Sequence, residues 1–365
     1  MTNLHKWLII AVLVGLILLS ANYIVPDIET PVHLEDEDYF RGKVINLRET
    51  ETSNGYFQEA EVEITSGPYR EDIIEIENEF EEGNRFLDIR LEEDLNIILV
   101  SYEQGNEREI YLQDIARDRS LGGAIILLII ALLIVGKFKG LETLISLIIS
   151  GYIIIQIMIP LMIAGYPPIP IATFSALLII SIILIIIGGL NFKTLAASIG
   201  TGVGVIIAGV IAYLIGSHAQ LSGLATQEAQ MLAAGMDGID FRGLLFAGII
   251  ISSLGATTDV GMSIASSASQ IKKANPKMSF TQLFSQSLEV GRDIMGTMSN
   301  TLILAYAGGS IPFLMLLLVN HMSWLRIINM NYVSTEILSG ISGTLGLVIS
   351  IPITAFTSSL LLSKD

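Results

Sequence analysis

The chain has 365 residues, 52% of them hydrophobic, and a formal net charge of −16. The charge is not spread evenly: residues 26–120 hold 27 acidic and 9 basic side chains, while the rest nets +2. Neither part has the basic face that nucleic acid needs. The absence of cysteine excludes disulfides, thiolate metal sites and cysteine catalysis. His5, His33, His218 and His321 are scattered without HExxH or helical pairing, so zinc hydrolysis is unsupported, and no metal or cofactor is expected.

Trp7–Val25 is an apolar run preceded by His5 and Lys6. It is either a cleaved signal peptide or a retained anchor, and its 19-residue length favours an N-terminal transmembrane anchor over residues 1–25. In either case the segment that follows is expected outside the cell.

Residues 26–120 read as an acidic, β-rich domain. "YFRGKVINLRE", "QEAEVEITSG", "DIIEIENEF" and "NIILVSYEQGNEREIYLQDI" alternate apolar and charged residues. Turn signals at Ser53-Asn54-Gly55, Ser66-Gly67-Pro68, Gly83-Asn84 and Gln104-Gly105-Asn106 separate them. Five or six short strands in such a length predict a small barrel of OB or SH3-like type. Its acidic face either attracts cations or is simply solvated, and the second reading is the plainer one.

From residue 121 to 365 the chain is expected to be a seven-helix membrane bundle, with spans at 121–136, 141–163, 171–190, 195–215, 243–268, 294–318 and 336–362. With the anchor the count is eight, in a polytopic α-helical membrane protein. Lys6, Lys137, Lys139, Lys193, Lys272, Lys273, Lys277 and Lys364 all fall on one side of these spans, and the opposite short loops carry only Arg242 and Arg326. By the positive-inside rule both termini are cytoplasmic and residues 26–120 lie outside. One cytoplasmic loop holds more than a link. Ser279 and Gln282 are spaced as a capping box, and Phe280, Leu283, Phe284 and Leu288 share a face, which predicts a short amphipathic interfacial helix near 279–290.

"GATTDVGMSIASS" (Gly255–Ser267) sets Asp259 within an apolar run. A carboxylate at mid-membrane costs about 2.5–3.5 kcal/mol on insertion scales. Gly255, Ser263 and Ser266 fall on its helical face, and Thr257, Thr258 and Ser267 widen the polar stripe. In "GRDIMGTMSNTLILAYAGG" the residues Asp293, Thr297 and Asn300 repeat that spacing beside Gly296. Both stripes are expected to point into the bundle, at each other. Asp, Thr, Ser and Asn oxygens there offer hard ligands to Na⁺ or a similar monovalent cation, and a buried Asp259 is also suited to carry a proton. The bland reading is interhelical hydrogen bonding without further purpose.

Glu289, Arg292 and Asp293 cluster at the inner end of the later span and are read as an inner gate; ordinary juxtamembrane anchoring is the alternative. Gly308, Gly309 and Pro312 in "YAGGSIP" predict a helix break, and Pro352 is expected to interrupt the last span. Gly200 and Gly204 form a GxxxG that reads as close helix packing. No Walker motif is present, and no internal repeat stands out.

"LGATTDVGMSIASSASQI" followed by "SLEVGRDIMGTMSNTLILAYAGGSIP" resembles the paired signature of the YibE/F-like bacterial membrane proteins. The resemblance is strongest over residues 243–318. It implies a bacterial plasma-membrane location and a permease-like character, and it supplies no substrate or reaction. In one departure, Thr257 and Thr258 precede Asp259 where the family pattern has small apolar residues, and Gly261 stands where it has alanine.

The sequence therefore leads to the expectation of a secondary transporter in the lipid bilayer, with Asp259, Thr258, Ser263, Ser266, Thr297 and Asn300 at its site. A homo-oligomer or a related membrane subunit is the expected protein partner. The rival is a non-transporting envelope protein whose exterior domain binds a partner and whose bundle anchors or signals. An intramembrane aspartyl protease built on Asp259 and Asp293 lacks the GxGD signature, so no enzyme is expected.

Overall fold

A computed structural model describes residues 15, 37–52, 55–67, 69–80, 89–104, 107–236 and 238–363. The expected anchor at 7–25, and the turns at Ser53-Asn54, Pro68, Gly83-Asn84 and Gly105-Asn106, lie outside the described residues apart from Gly15. The chain divides into two compact units, Glu29–Ala131 and a helical unit running from Leu132.

The first unit is a five-stranded antiparallel sheet ordered β3-β2-β1-β4-β5. Its strands are β1 (Glu37–Thr52), β2 (Gly55–Ile64), β3 (Ile73–Phe80), β4 (Asn96–Gln104) and β5 (Glu107–Ile115). The long β1 pairs with β4 through its first half and with β2 through its second, and the β1–β2 register shifts between Val44 and Asn46. Such a bulge bends the strand, and the sheet curls into a half-barrel. Its edges β3 and β5 border a cavity of about 290 Å³ lined by Glu75, Glu77, Glu109 and Tyr111.

Alternation fills the inside of the curl with Phe40, Val44, Ala60, Val62, Ile76, Ile97 and Leu99. Gly42 belongs to the same row: a Cβ there would lie 2.9 Å from Leu99 Cδ1. Gln58 is the polar exception. Its amide, fully buried, accepts from Leu91 N at 2.9 Å and donates to Leu91 O at 3.0 Å, while Asn78 donates to Gln58 Oε1 at 3.0 Å and to Ile89 O at 2.7 Å. Two side-chain amides thereby tie residues 89–91 to β2 and β3. On the surface, the Lys43 ammonium 2.7 Å from Asp94 holds that carboxyl below its ordinary range, by hydrogen bond first and charge second. This small contribution to stability is present at neutral pH and is lost as pH falls through the lowered Asp94 titration.

The helical part comprises α1 (Asp118–Gly136), α2 (Phe138–Ile163), α3 (Pro168–Gly188), α4 (Phe192–His218), α5 (Gln227–Gly235), α6 (Phe241–Ala274), α7 (Phe280–Gly309), α8 (Ile311–Val319), α9 (Trp324–Ile328) and α10 (Asn331–Leu362). Among the described residues six helices are long and apolar enough to cross a membrane, and the bent pair α7–α8 makes a seventh if it counts as one span. α2 passes through a π-helical turn at Ile154–Met158 just before Pro160, whose missing N–H disturbs the ladder there.

α4, α6 and α10 form the closely packed heart of the bundle, and small residues are the reason. A Cβ added at Gly204 would come 2.7 Å from the Gly346 carbonyl oxygen, and one added at Gly346 would come 2.6 Å from the Gly204 carbonyl. Gly200 abuts Thr354, Gly261 abuts Thr201, and Gly216 receives the Phe246 ring. Lipid tails are as apolar as leucine, so backbone approach and dispersion hold such helices together more than hydrophobicity does.

Two expectations are corrected. The segment near 279–290 is not a separate interfacial helix. Its capping box forms, with both Ser279 and Gln282 contributing, but the helix continues without interruption to Gly309. Phe284 and Leu288 account for this, because they pack beside Ile264, Ile351 and Ala355 as the first turns of one rod. Nor does Pro352 interrupt the last span. α10 runs through it unbroken with the ring exposed, since the proline removes one donor while neighbouring turns keep theirs.

Replacing Gly204 by valine should lower stability by about 1–3 kcal/mol, as overpacked cores do. Gly255→Val, at a glycine with open space around it, should leave the unfolding temperature nearly unchanged. Thermal unfolding of both variants in the same detergent checks the contrast.

Candidate functional site

α6 presents four differently used faces. Val260 and Ile264 pack among Leu347, Ile351 and Ala355 of α10, with Met295 and Met298 of α7 alongside. Thr257 and Gly261 face α4, where Thr201 donates to the Thr257 carbonyl at 3.4 Å. Leu254 and Met262 join the cluster built on α3. What remains is a stripe of Ser252, Gly255, Asp259 and Ser263, all exposed, with half-buried Ser266 beyond. Asp259 has no hydrogen-bond or ion-pair partner among the described residues.

The expectation that the two polar stripes meet inside the bundle is therefore overturned. On α7, Leu283, Ser287, Gly291 and Leu302 are the buried positions, while Asp293, Gly296, Thr297 and Asn300 are exposed on the opposite side. The glycines and β-branched residues on the other faces of α6 allow closer packing than a carboxylate does, so those faces take the interior. Thr258 is displaced from the stripe too. It is buried a quarter-turn away, and its hydroxyl donates to the Leu254 carbonyl at 2.7 Å. Thr297 likewise donates within its own helix, to Ile294 O at 2.9 Å.

The two stripes nevertheless share a level. α6 and α7 run antiparallel, joined near one end by Ser252 Oγ and Tyr306 Oη at 2.6 Å and near the other where Gly291 abuts Ile264. Asp259 falls between these contacts along α6, and Thr297 and Asn300 fall between them along α7. The structure thus sets Asp259 at the height of Thr297 and Asn300 but turns both faces outward.

Glu289, Arg292 and Asp293 are exposed, and Arg292 pairs with neither acid among the described residues. The chain bends by 62° between α7 and α8, with Gly308 and Gly309 closing α7 and Pro312 in the first turn of α8. Among the described residues no group of three His, Cys, Asp or Glu side chains is placed to hold a metal.

A second feature lies at this bend and escaped the sequence reading. A cleft of about 300 Å³ opens there, lined by Ile303, Tyr306, Phe313, Tyr332, Glu336 and Ile337 among others. Glu336 is half-buried and has no hydrogen-bond or ion-pair partner among the described residues. The signal was present: Glu336 is the sole acidic residue in the span expected at 336–362. Its place at the first position of that span made it look like a boundary marker. Ser252 and Tyr306 connect the cleft to the Asp259 stripe through their hydrogen bond.

A curved sheet unit followed by long apolar helices packed through glycine contacts defines a polytopic helical membrane protein with an N-terminal β domain. The chain belongs to the YibE/F-like family, whose model matches residues 124–364 and so covers the helical part. No curated protein and no solved structure matches the chain.

Because the chain lacks cysteine, single replacements report accessibility cleanly. Ser263→Cys should react with a water-soluble maleimide in detergent, whereas Thr257→Cys should react at least tenfold more slowly. Equal rates at the two positions would mean that α6 is rotated from the orientation described.

Proposed function

We propose that the protein is a permease-type secondary transporter whose ion or proton site is centred on Asp259. One observation carries this reading. A long helix packed against α3, α4, α7 and α10 keeps an unpartnered carboxylate at mid-length, on a stripe otherwise built of glycine and serine. Lipid does not cover such a stripe at tolerable cost. Water, a cation or another protein chain does, and Ser263, Ser266, Thr297 and Asn300 add oxygen ligands near the same level. A homo-oligomer or a related membrane subunit laid against this face would complete the site without changing its chemistry.

The same reading takes residues 1–25 as the first of eight spans in a bacterial plasma membrane. It puts the half-barrel, an OB-like module, outside and both termini inside. The one-sided distribution of lysines supports that orientation. Glu289, Arg292 and Asp293 then sit at the cytoplasmic end of α7, where unpaired charges can serve as an inner gate. In the rival reading the exterior domain binds a partner, the bundle anchors it or transmits a signal, and Asp259 has no ion-binding role.

Thermal stability of the purified protein against Na⁺, Li⁺, K⁺ and pH separates the two. Binding restricted to the folded state must raise stability, by about 2.7 kcal/mol at a hundred times Kd. We expect one ion, or protonation, to raise the unfolding temperature of the wild type, and Asp259→Asn to abolish the increment while remaining folded. A mutant that is merely less stable, in a protein indifferent to every ion, would leave the anchor reading standing.

A further inference from the structure

We propose that the cleft at the α7–α8 bend binds an organic cation, with the Glu336 carboxylate as its counter-charge and the rings of Tyr306, Tyr332 and Phe313 as its walls. The inference deepens the permease reading by naming a substrate class. It rests on that reading for the meaning of the binding, though not for the binding itself.

The chemistry of the lining selects the ligand. Glu336 is half-buried among apolar side chains, and no lysine, arginine or histidine is among the residues that line the cleft. An anion is repelled there, and a neutral ligand takes water from the carboxylate without replacing it. A small inorganic cation needs several oxygen ligands, which walls of Ile303, Ile337 and Ile341 do not supply. A cation with an apolar body satisfies the carboxylate and the walls together.

The aromatic groups are already held for the purpose. Tyr306 Oη is engaged by Ser252 at 2.6 Å, and Tyr332 Oη lies 3.4 Å from Ser310 Oγ. The Phe313 and Tyr332 rings meet at 4.6 Å between centroids, tilted by 52°. The two tyrosines are tethered through their hydroxyls, and an aromatic face attracts a cation through the quadrupole of its ring. The cleft volume of about 300 Å³ sits at the small end of ligand pockets, which run from about 300 to 1,000 Å³. An ammonium on a lipid headgroup shares this chemistry with a free solute, and the test must tell them apart.

The probe is tetraphenylphosphonium, measured by equilibrium binding to the full-length protein in an uncharged detergent, with triphenylphosphine oxide as the neutral competitor. We expect saturable binding that the oxide does not displace, weakened at least tenfold in Glu336→Gln. Ala307→Trp, which fills the cleft but keeps the Glu336 side chain, should weaken it similarly and guards against misfolding of the first variant. Added phosphatidylethanolamine that displaces the probe where an uncharged glycolipid does not would assign the cation to lipid; equal effects of the two would assign it to a free solute. Wild-type binding in both variants, or equal competition by the oxide, would overturn the proposal. Asp259→Asn should keep probe binding, so a failure at Asp259 and a failure at Glu336 are read separately.

Discussion

Gly204 of α4 and Gly346 of α10 meet backbone to backbone, each pressing on the carbonyl of the other. Side chains of ordinary size at either position would separate α4 from α10, and with them the groove in which α6 lies. Thr201 reaching the Thr257 carbonyl, Gly261 against Thr201 and the burial of Val260 all depend on that spacing. In a solvent that offers no hydrophobic gain for bringing helices together, steric permission of this kind is the main currency of assembly. The outward position of Asp259 follows from it, since the faces of α6 that carry glycine, threonine and valine are the ones that fit.

Much of this was legible in the residues. Alternation in β1 through β5 marked the inward rows of the sheet. Gly200 and Gly204 marked close helix packing, which the structure assigns to α10, Ser279 and Gln282 marked the start of α7, and "YAGGSIP" marked the bend. All of these are local signals whose geometry is set by the chain itself. Asp259 and Asn300 were likewise singled out by their spacing, and the structure sets them at one level on outward faces.

What the sequence did not disclose is where a stripe points. Periodicity defines an azimuth on a helix but not the neighbour at that azimuth, so two polar stripes read as partners when they lie on outward faces. The same limit hid the Gln58–Asn78 pair, whose partners at Leu91 and Ile89 are distant in sequence. Pro352 misled for the opposite reason: a proline is a strong local signal, and tertiary packing overrode it. Glu336 was passed over because a charged residue at a helix start is common, and only the bend of α7 towards α8 turns that position into the wall of a cleft.

The unbroken run of α7 from its capping box to Ser310 has a mechanical consequence. At 30 residues it is roughly 45 Å long, half as long again as the hydrocarbon thickness of about 30 Å. Its tightest crossing is at Gly291, where Ile351 and Ile264 close in. That crossing divides the helix into unequal arms, the shorter towards Ser279 and the longer towards Ser310, so a rotation about it would move the two ends by different amounts. A small swing at the Ser279 end is therefore magnified at the other, while Glu289, Arg292 and Asp293 lie beside the pivot. The long arm is moored by Leu302 beside Gly343 and by the Tyr306 hydroxyl on Ser252.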